Sequence, residues 1–324
     1  MNKDAVKLLF IGGYGRSGST LLEQILGQID GFFPVGEIRY IWDRSFAQNQ
    51  LCSCGAKFSR CDFWRAVVDR AFGGWNNLDF NEIRALKDRV DRKRFIPMMA
   101  MPMLRTSVFE KALAAYSQVL LRLYTAISKV SGCRVIIDSS KNPSHGFLLN
   151  TLKNIDLYVI HLVRDSRAVA YSWLRKKIRP EIHWKKQTMP IHSIMKSSVE
   201  WLALNMLTQS MMYFNSNYIV KRYEDFVAEL NLSLKEISEY LNENEPDLSI
   251  KSNCIYNIVK AHTVSGNPIR FMGNEIKVRP DREWQRKMPK GKRAAVSCLT
   301  WPLLCRYRYP LSVRSERGYE NISA

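Results

Sequence analysis

The chain has 324 residues, 46% of them hydrophobic and 24% charged, the balance of an ordinary water-soluble globule long enough for one α/β domain with insertions. Its formal net charge of +19 suits a nucleic-acid binder, a protein drawn to anionic membranes, or an enzyme with polyanionic ligands. No RNA-binding or finger-type motif, internal repeat or low-complexity linker is found, and no apolar run approaches the roughly eighteen residues of a membrane span, which disfavours a nucleic-acid partner and an integral membrane protein.

The first element is an apolar, strand-like run, Leu8-Leu9-Phe10-Ile11, that breaks into Gly12-Gly13-Tyr14-Gly15-Arg16-Ser17-Gly18-Ser19-Thr20 and resumes with helical spacing. This is the pattern of a phosphate-binding loop: glycines let several N–H groups converge on one anion, and the following helix adds its positive end. The kinase and ATPase form, GxxxxGK[ST], is met at Gly13, Gly18 and Thr20, but Ser19 stands at the lysine position and a cation, Arg16, lies inside the loop. Triphosphate enzymes need that lysine, together with a hydroxyl and an acidic partner for Mg²⁺. A loop with its cation earlier suits a shorter anion chain that requires no metal, with a phosphate-loop kinase as the alternative.

Arg16-Ser17-Gly18-Ser19-Thr20 resembles the 5′-phosphosulfate loop of the PAPS-dependent sulfotransferases, [KR]-S-G-[ST]-[ST] directly after the first strand. An arginine at the first position is the form of the carbohydrate and tyrosylprotein branches rather than the phenol-sulfating one. The resemblance implies PAPS as donor, PAP as product and no metal, with Arg16, Ser17, Gly18, Ser19 and Thr20 on the 5′-phosphosulfate. The loop begins too near Met1 for a signal peptide, so a cytoplasmic protein is expected.

Next, residues 31–41 read as a short second strand ending in a loop that carries Glu37. The resemblance makes Glu37 the base that deprotonates the acceptor; the plain alternative is a surface carboxylate paired with Arg39. Seven cysteines in such a chain suggest mostly free thiols, and Cys52, Cys54 and Cys61 form the one cluster. A zinc site would need a fourth ligand, and no His or Cys lies nearby in sequence, so buried or loop thiols are expected, with a local disulfide or zinc as alternatives. From about 78 to 129 apolar residues recur at helical spacing, interrupted by Pro97 and Pro102, which predicts a helical insertion over about 75–130 that contributes to acceptor binding.

Arg134 to Asp138 is a compact buried strand running into Ser139-Ser140-Lys141-Asn142-Pro143, with a helix from about Ser144. Strands alternating with helices predict a parallel sheet covered on both faces. By resemblance Lys141 contacts the bridging oxygen or the sulfonate, and His145 competes with Glu37, since phenol-sulfating relatives use a histidine after the third strand. Ser139 and Ser140 either hydrogen-bond the ligands or cap the next helix.

Leu157 to Val163 is a further buried strand that turns at Arg164-Asp165 into a helix, with Asp165 or Ser166 as its N-cap. Arg164 then sits at a strand's carboxyl end, where open α/β sheets bind ligands. The family's 3′-phosphate motif pairs an Arg with a Ser at this same interval, which implies that Arg164 and Ser172 hold that phosphate. Tyr218-Ile219-Val220 resembles the family's fourth-strand segment. Past the turn at Gly266-Asn267-Pro268, Arg270, and more loosely Arg279 and Trp284, match a basic loop that closes over the 3′-phosphate, although the pattern RKGxxGDWK is not reproduced. Residues 299–309 pack on the sheet edge or dock peripherally on a membrane.

The expectation is therefore a single α/β domain over 1–324, a P-loop-like parallel sheet flanked by helices with a helical insertion. It would move a sulfuryl group by in-line displacement from PAPS to a hydroxyl of a carbohydrate, glycolipid or other small acceptor. A kinase or a non-catalytic basic module that binds membranes or polyanions are the alternatives.

Overall fold

The computed structural model describes residues 5–244, 250–251, 254–256, 261–271 and 275–311. β1 (Val6–Gly12) is apolar without alternation because it is covered on both sides: Leu8 and Phe10 enter one core, Leu9 and Ile11 the other, all fully buried. After α1 (Ser19–Leu26) and β2 (Phe32–Gly36) the chain forms α2 (Asp62–Phe72), α3 (Phe80–Val90), α4 (Ile96–Ala100) and α5 (Ser107–Ser131). It returns through β3 (Val135–Lys141), α6 (Pro143–Leu149), β4 (Ile155–Val163), α7 (Ser166–Trp173), α8 (Ile194–Gln209) and β5 (Tyr218–Arg222). The five strands pair in parallel in the order β2-β3-β1-β4-β5. Lys7 of β1 lies opposite Val135 on one side and Asp156 on the other.

Residues of α1, α9 (Tyr223–Ala228) and α10 (Leu230–Tyr240) cover one face, those of α5 and α6 the other. The helical insertion forms as its prolines dictate. Pro97 occupies the first turn of α4 and Pro102 follows its end, while Asp79 and Thr106 cap α3 and α5 through their side chains. The insertion shares the sheet's core, since Ile83, Leu113 and Leu120 cluster with Leu8 and Phe10.

A small antiparallel sheet comprises β6 (Ile250–Lys251), β7 (Cys254–Tyr256) and β8 (Glu275–Lys277), followed by α11 (Glu283–Lys287) and α12 (Lys290–Arg306). The C-terminal aromatic stretch packs: Leu303, Leu304, Tyr307 and Tyr309 are buried with Val163, Val169 and Trp201, although Trp301 remains exposed. No helix among the described residues is long and apolar enough to cross a membrane.

Candidate active site

The carboxyl ends of β1, β2, β3 and β4 open onto one cavity of about 430 Å³. At β1 the backbone leaves the strand through Gly13 and enters α1 through Gly18, left-handed at φ 93°. A Cβ on Gly18 would stand 2.3 Å from the Tyr223 ring, so that position accepts nothing larger. Arg16, between them, is itself left-handed at φ 70°. The residue is only 9% exposed, its guanidinium lies 4.8 Å from the Trp173 ring, and the three guanidinium nitrogens are buried with no hydrogen-bond partner among the described residues. Burial lowers the Arg16 pKa, offset in part by Tyr14 and Glu37. A desolvated cation with five unused donors is complementary to an anion. The Ser17 hydroxyl is buried and unpartnered in the same way.

At β4, Asp165 caps α7 by accepting the Arg167 N–H at 2.8 Å, which fixes the turn after Arg164. Arg164 lies over the Tyr223 ring at 4.6 Å, donates to the Arg16 carbonyl at 3.1 Å and pairs with Asp281 at 3.0 Å. Ser172 lies further along α7 and lines the cavity, as does Lys177, whose pKa is lowered by burial and then by Arg16, Arg175 and Arg164. Trp173, beneath Arg16, is held by a stacked His192 at 4.1 Å.

At the β2 and β3 ends, Lys141 Nζ donates to Glu37 Oε1 at 2.5 Å and to the Ser139 carbonyl at 2.8 Å, and Arg44 approaches Glu37 Oε2 at 3.5 Å. Burial pushes the Glu37 carboxyl up, but Lys141 and Arg44 prevail and hold it below the usual carboxylate range. The expected partner Arg39 is bound to Asp91 instead. Val264 continues the edge beside β2: its N–H donates to the Val35 carbonyl at 2.9 Å and its carbonyl accepts from the Glu37 N–H at 2.8 Å. Gly36, at φ 84°, permits this approach, because a Cβ there would lie 2.1 Å from the Val264 oxygen.

Sequence reading missed Glu23. It is fully buried on α1, accepts the Gly36 N–H on Oε1 and the Ser139 hydroxyl on Oε2, and so ties α1 to the strand ends that carry Glu37 and Lys141. Burial drives its pKa up to about 7 against those hydrogen bonds. A glutamate within an amphipathic helix gives no sequence signal of such a role. Ser140 likewise answers neither expectation in full: it accepts from the Arg39 N–H at 3.1 Å, bonds Asp138, and lines the cavity.

The structure brings Arg16, Gly18, Ser19, Thr20, Glu37, Lys141, Arg164 and Ser172 to this one cavity. Three expected residues are not part of its lining: Ser17, whose hydroxyl is buried within the loop, and two that lie elsewhere. His145 is fully buried, its Nε2 3.2 Å from Asp138 and its Nδ1 3.4 Å from Asp91. Burial opposes its charge, but the two carboxylates prevail and raise its pKa to about 9, so it is a core imidazolium and no rival base. Arg270 is buried away from the cavity lining, with Nη1 on the Thr263 carbonyl at 2.6 Å and Nη2 on the Leu51 carbonyl at 3.1 Å. Its guanidinium braces backbone rather than a phosphate. Trp284 packs under Arg167 at 5.0 Å, and Arg279 is exposed.

The family model described as "Sulfotransferase family" matches residues 9–247. No curated protein matches the chain. Among solved structures, the sulfotransferase domain from the Synechococcus PCC 7002 olefin synthase is 18% identical, with a TM-score of 0.51 over 96% of this chain and 98% of that one. The sulfotransferase domain from the curacin biosynthetic pathway is 15% identical, with a TM-score of 0.52 over 95% and 99%. At such identities the likeness speaks to fold, and it agrees with the parallel sheet flanked by helices that the strand and helix alternation predicts.

Proposed function

The chain belongs to the sulfotransferase family, and we propose that it transfers the sulfuryl group of PAPS to a hydroxyl acceptor, with Glu37 as base and Lys141 and Arg16 as the cations that carry the charge. The observation that carries this reading is the buried, unpartnered Arg16 guanidinium on the same cavity as the Glu37–Lys141 pair. Arg16, the Ser17 and Thr20 hydroxyls and the N–H groups opening α1 hold the 5′-phosphosulfate end. Arg164 and Ser172 hold the 3′-phosphate, and Asp281 yields Arg164 to it. PAPS supplies, when bound, a sulfur that can leave its 5′-phosphate oxygen.

Glu37 accepts the proton of the acceptor hydroxyl as that oxygen bonds to sulfur and the bond from sulfur to the 5′-phosphate oxygen breaks. Lys141 couples the two events. While it bonds Glu37 it keeps the carboxyl pKa low. Once its ammonium turns to the sulfonate, burial raises the basicity of Glu37 at the moment a base is needed. Arg16, a permanent cation, stabilises the charge arriving on the 5′-phosphate and donates no proton.

For the acceptor we propose a carbohydrate or glycolipid hydroxyl, a reading that rests on the arginine-type loop and a glutamate after β2. The test is incubation with radiolabelled PAPS and a panel of glycans and glycolipids, beside calorimetric binding of PAP without added Mg²⁺. Labelled product and metal-free PAP binding are expected. Absence of both, or Mg²⁺-dependent ATP binding in their place, overturns the proposal.

A further inference from the structure

Cys52, Cys54 and Cys61 have a fourth companion that their neighbourhood in sequence does not reveal. His262, 201 residues beyond Cys61, brings its Nδ1 to 3.2 Å from Cys61 Sγ and 3.8 Å from Cys52 Sγ. Cys54 and Cys61 are 3.8 Å apart at sulfur, and all four donor atoms lie within 4.8 Å of one another. We infer that these four residues form a structural Zn²⁺ site.

The spacings of 3.2 to 3.8 Å lie close to a tetrahedron's edges, and a bound ion would draw the four donors onto them. With Zn–S of about 2.3 Å and Zn–N of about 2.05 Å, regular tetrahedral coordination puts sulfurs about 3.8 Å apart and sulfur and nitrogen about 3.6 Å apart. The three cysteines are free thiols, so no disulfide competes for them in this arrangement. Three thiolates and one imidazole are a donor set that favours zinc, and four protein ligands close the shell, which marks a structural rather than a catalytic ion.

The local backbone builds the site. Cys52 donates its N–H to the Ala56 carbonyl at 2.9 Å while Gly55 donates to the Cys52 carbonyl at 2.9 Å, a tight turn that sets Cys52 and Cys54 close together. Cys61 sits at the N-cap of α2. The imidazole is oriented by parallel stacking on Phe63 at 5.0 Å, and the Trp64 indole N–H donates to the His262 carbonyl at 2.9 Å. Ser53 bonds both Ala261 and Thr263, which fastens the strand-like segment on either side of His262.

Zinc here would fix the segment that walls the reactive cavity. Two residues after His262, Val264 bridges to Gly36, and Gly266 and Asn267 line the cavity. The inference does not depend on the proposed activity, because its readout is metal content.

The experiment is elemental analysis of the full chain purified without chelator, under reducing conditions, and again after incubation with zinc and gel filtration. About one zinc per chain is expected. Cys54→Ser and His262→Ala should lose most of it, and Cys133→Ser should keep it. Should the ligand variants fail to fold, Co²⁺ loading of the wild type gives a second readout, with the visible bands of a tetrahedral cobalt thiolate expected. A wild type that retains no zinc after reconstitution, or whose three clustered thiols all react with a thiol reagent at the free rate in the presence of zinc, overturns the inference.

Discussion

Replacing Arg16 by methionine should move stability and ligand affinity in opposite directions. The wild-type guanidinium is nearly buried, has no ion-pair or hydrogen-bond partner among the described residues, and is compensated there by the Trp173 ring and, at longer range, by Tyr14 and Glu37. Methionine keeps a long unbranched chain against that ring and removes the desolvated charge. The lost cation–π contact costs about 1–2 kcal/mol, whereas an uncompensated buried ion carries a penalty of several kcal/mol. The ligand-free variant should therefore gain about 1–3 kcal/mol, which for a chain of this size is an upward shift in Tm of roughly 1.5–4.5 °C. PAP binding should suffer. Two charge-assisted hydrogen bonds to a phosphate, at about 1.5–3 kcal/mol each, correspond to a loss of roughly 10²–10⁴-fold in affinity. Scanning calorimetry without ligand and titration calorimetry with PAP measure the two halves. A variant that is destabilised without ligand, or that binds PAP within about threefold of the wild type, about 0.6 kcal/mol, refutes the reasoning that Arg16 is held unpaired for an anion.

Three further outcomes can be checked. Glu37→Gln should lower kcat by roughly 10²–10⁴-fold in steady-state sulfuryl transfer and leave PAP affinity nearly unchanged; an unaltered rate removes Glu37 as the base. Arg164→Ala should weaken PAP by about 10–100-fold with a smaller effect on turnover, while Asp281→Asn, which frees Arg164 of a half-exposed carboxylate, should tighten it by up to about fivefold. His145 is raised in the folded state from 6.5 to about 9, so its charged contacts with Asp138 and Asp91 stabilise fully below pH 6.5 and are lost as the pH rises through 9. Urea unfolding across that range should show falling stability in the wild type and a flatter profile in His145→Asn; equal slopes argue against a charged core histidine.

What could be read in the chain was local. The phosphate loop announces itself because its glycines and Arg16 are contiguous, and the run from Leu157 through Arg164 to Ser172 encodes a strand, a capped turn and a helix in one stretch. Glu37 and Lys141 were nameable through a family pattern, but nothing in the sequence says that they bond each other, because their meeting depends on β2 pairing with β3. His145 was misplaced for a related reason: its environment is set by Asp91, which arrives from the insertion. Arg270 and His262 lie in a segment with clear turn chemistry, yet each acts on residues some two hundred positions earlier. Long-range side-chain meetings of this kind leave no periodicity for a reader of sequence to follow.

The pairing of Val264 with β2 also bears on how the protein avoids its own copies. β2 is the outermost strand of the sheet, a position from which unpaired N–H and carbonyl groups recruit foreign strands. Here it is short, carries Pro34 in its middle, and has its carboxyl end already hydrogen-bonded to Val264. The contact that walls the cavity therefore also blunts an adhesive edge, so mutations that detach residues 262–266 should show up as aggregation as well as lost turnover, which light scattering at constant protein concentration would reveal.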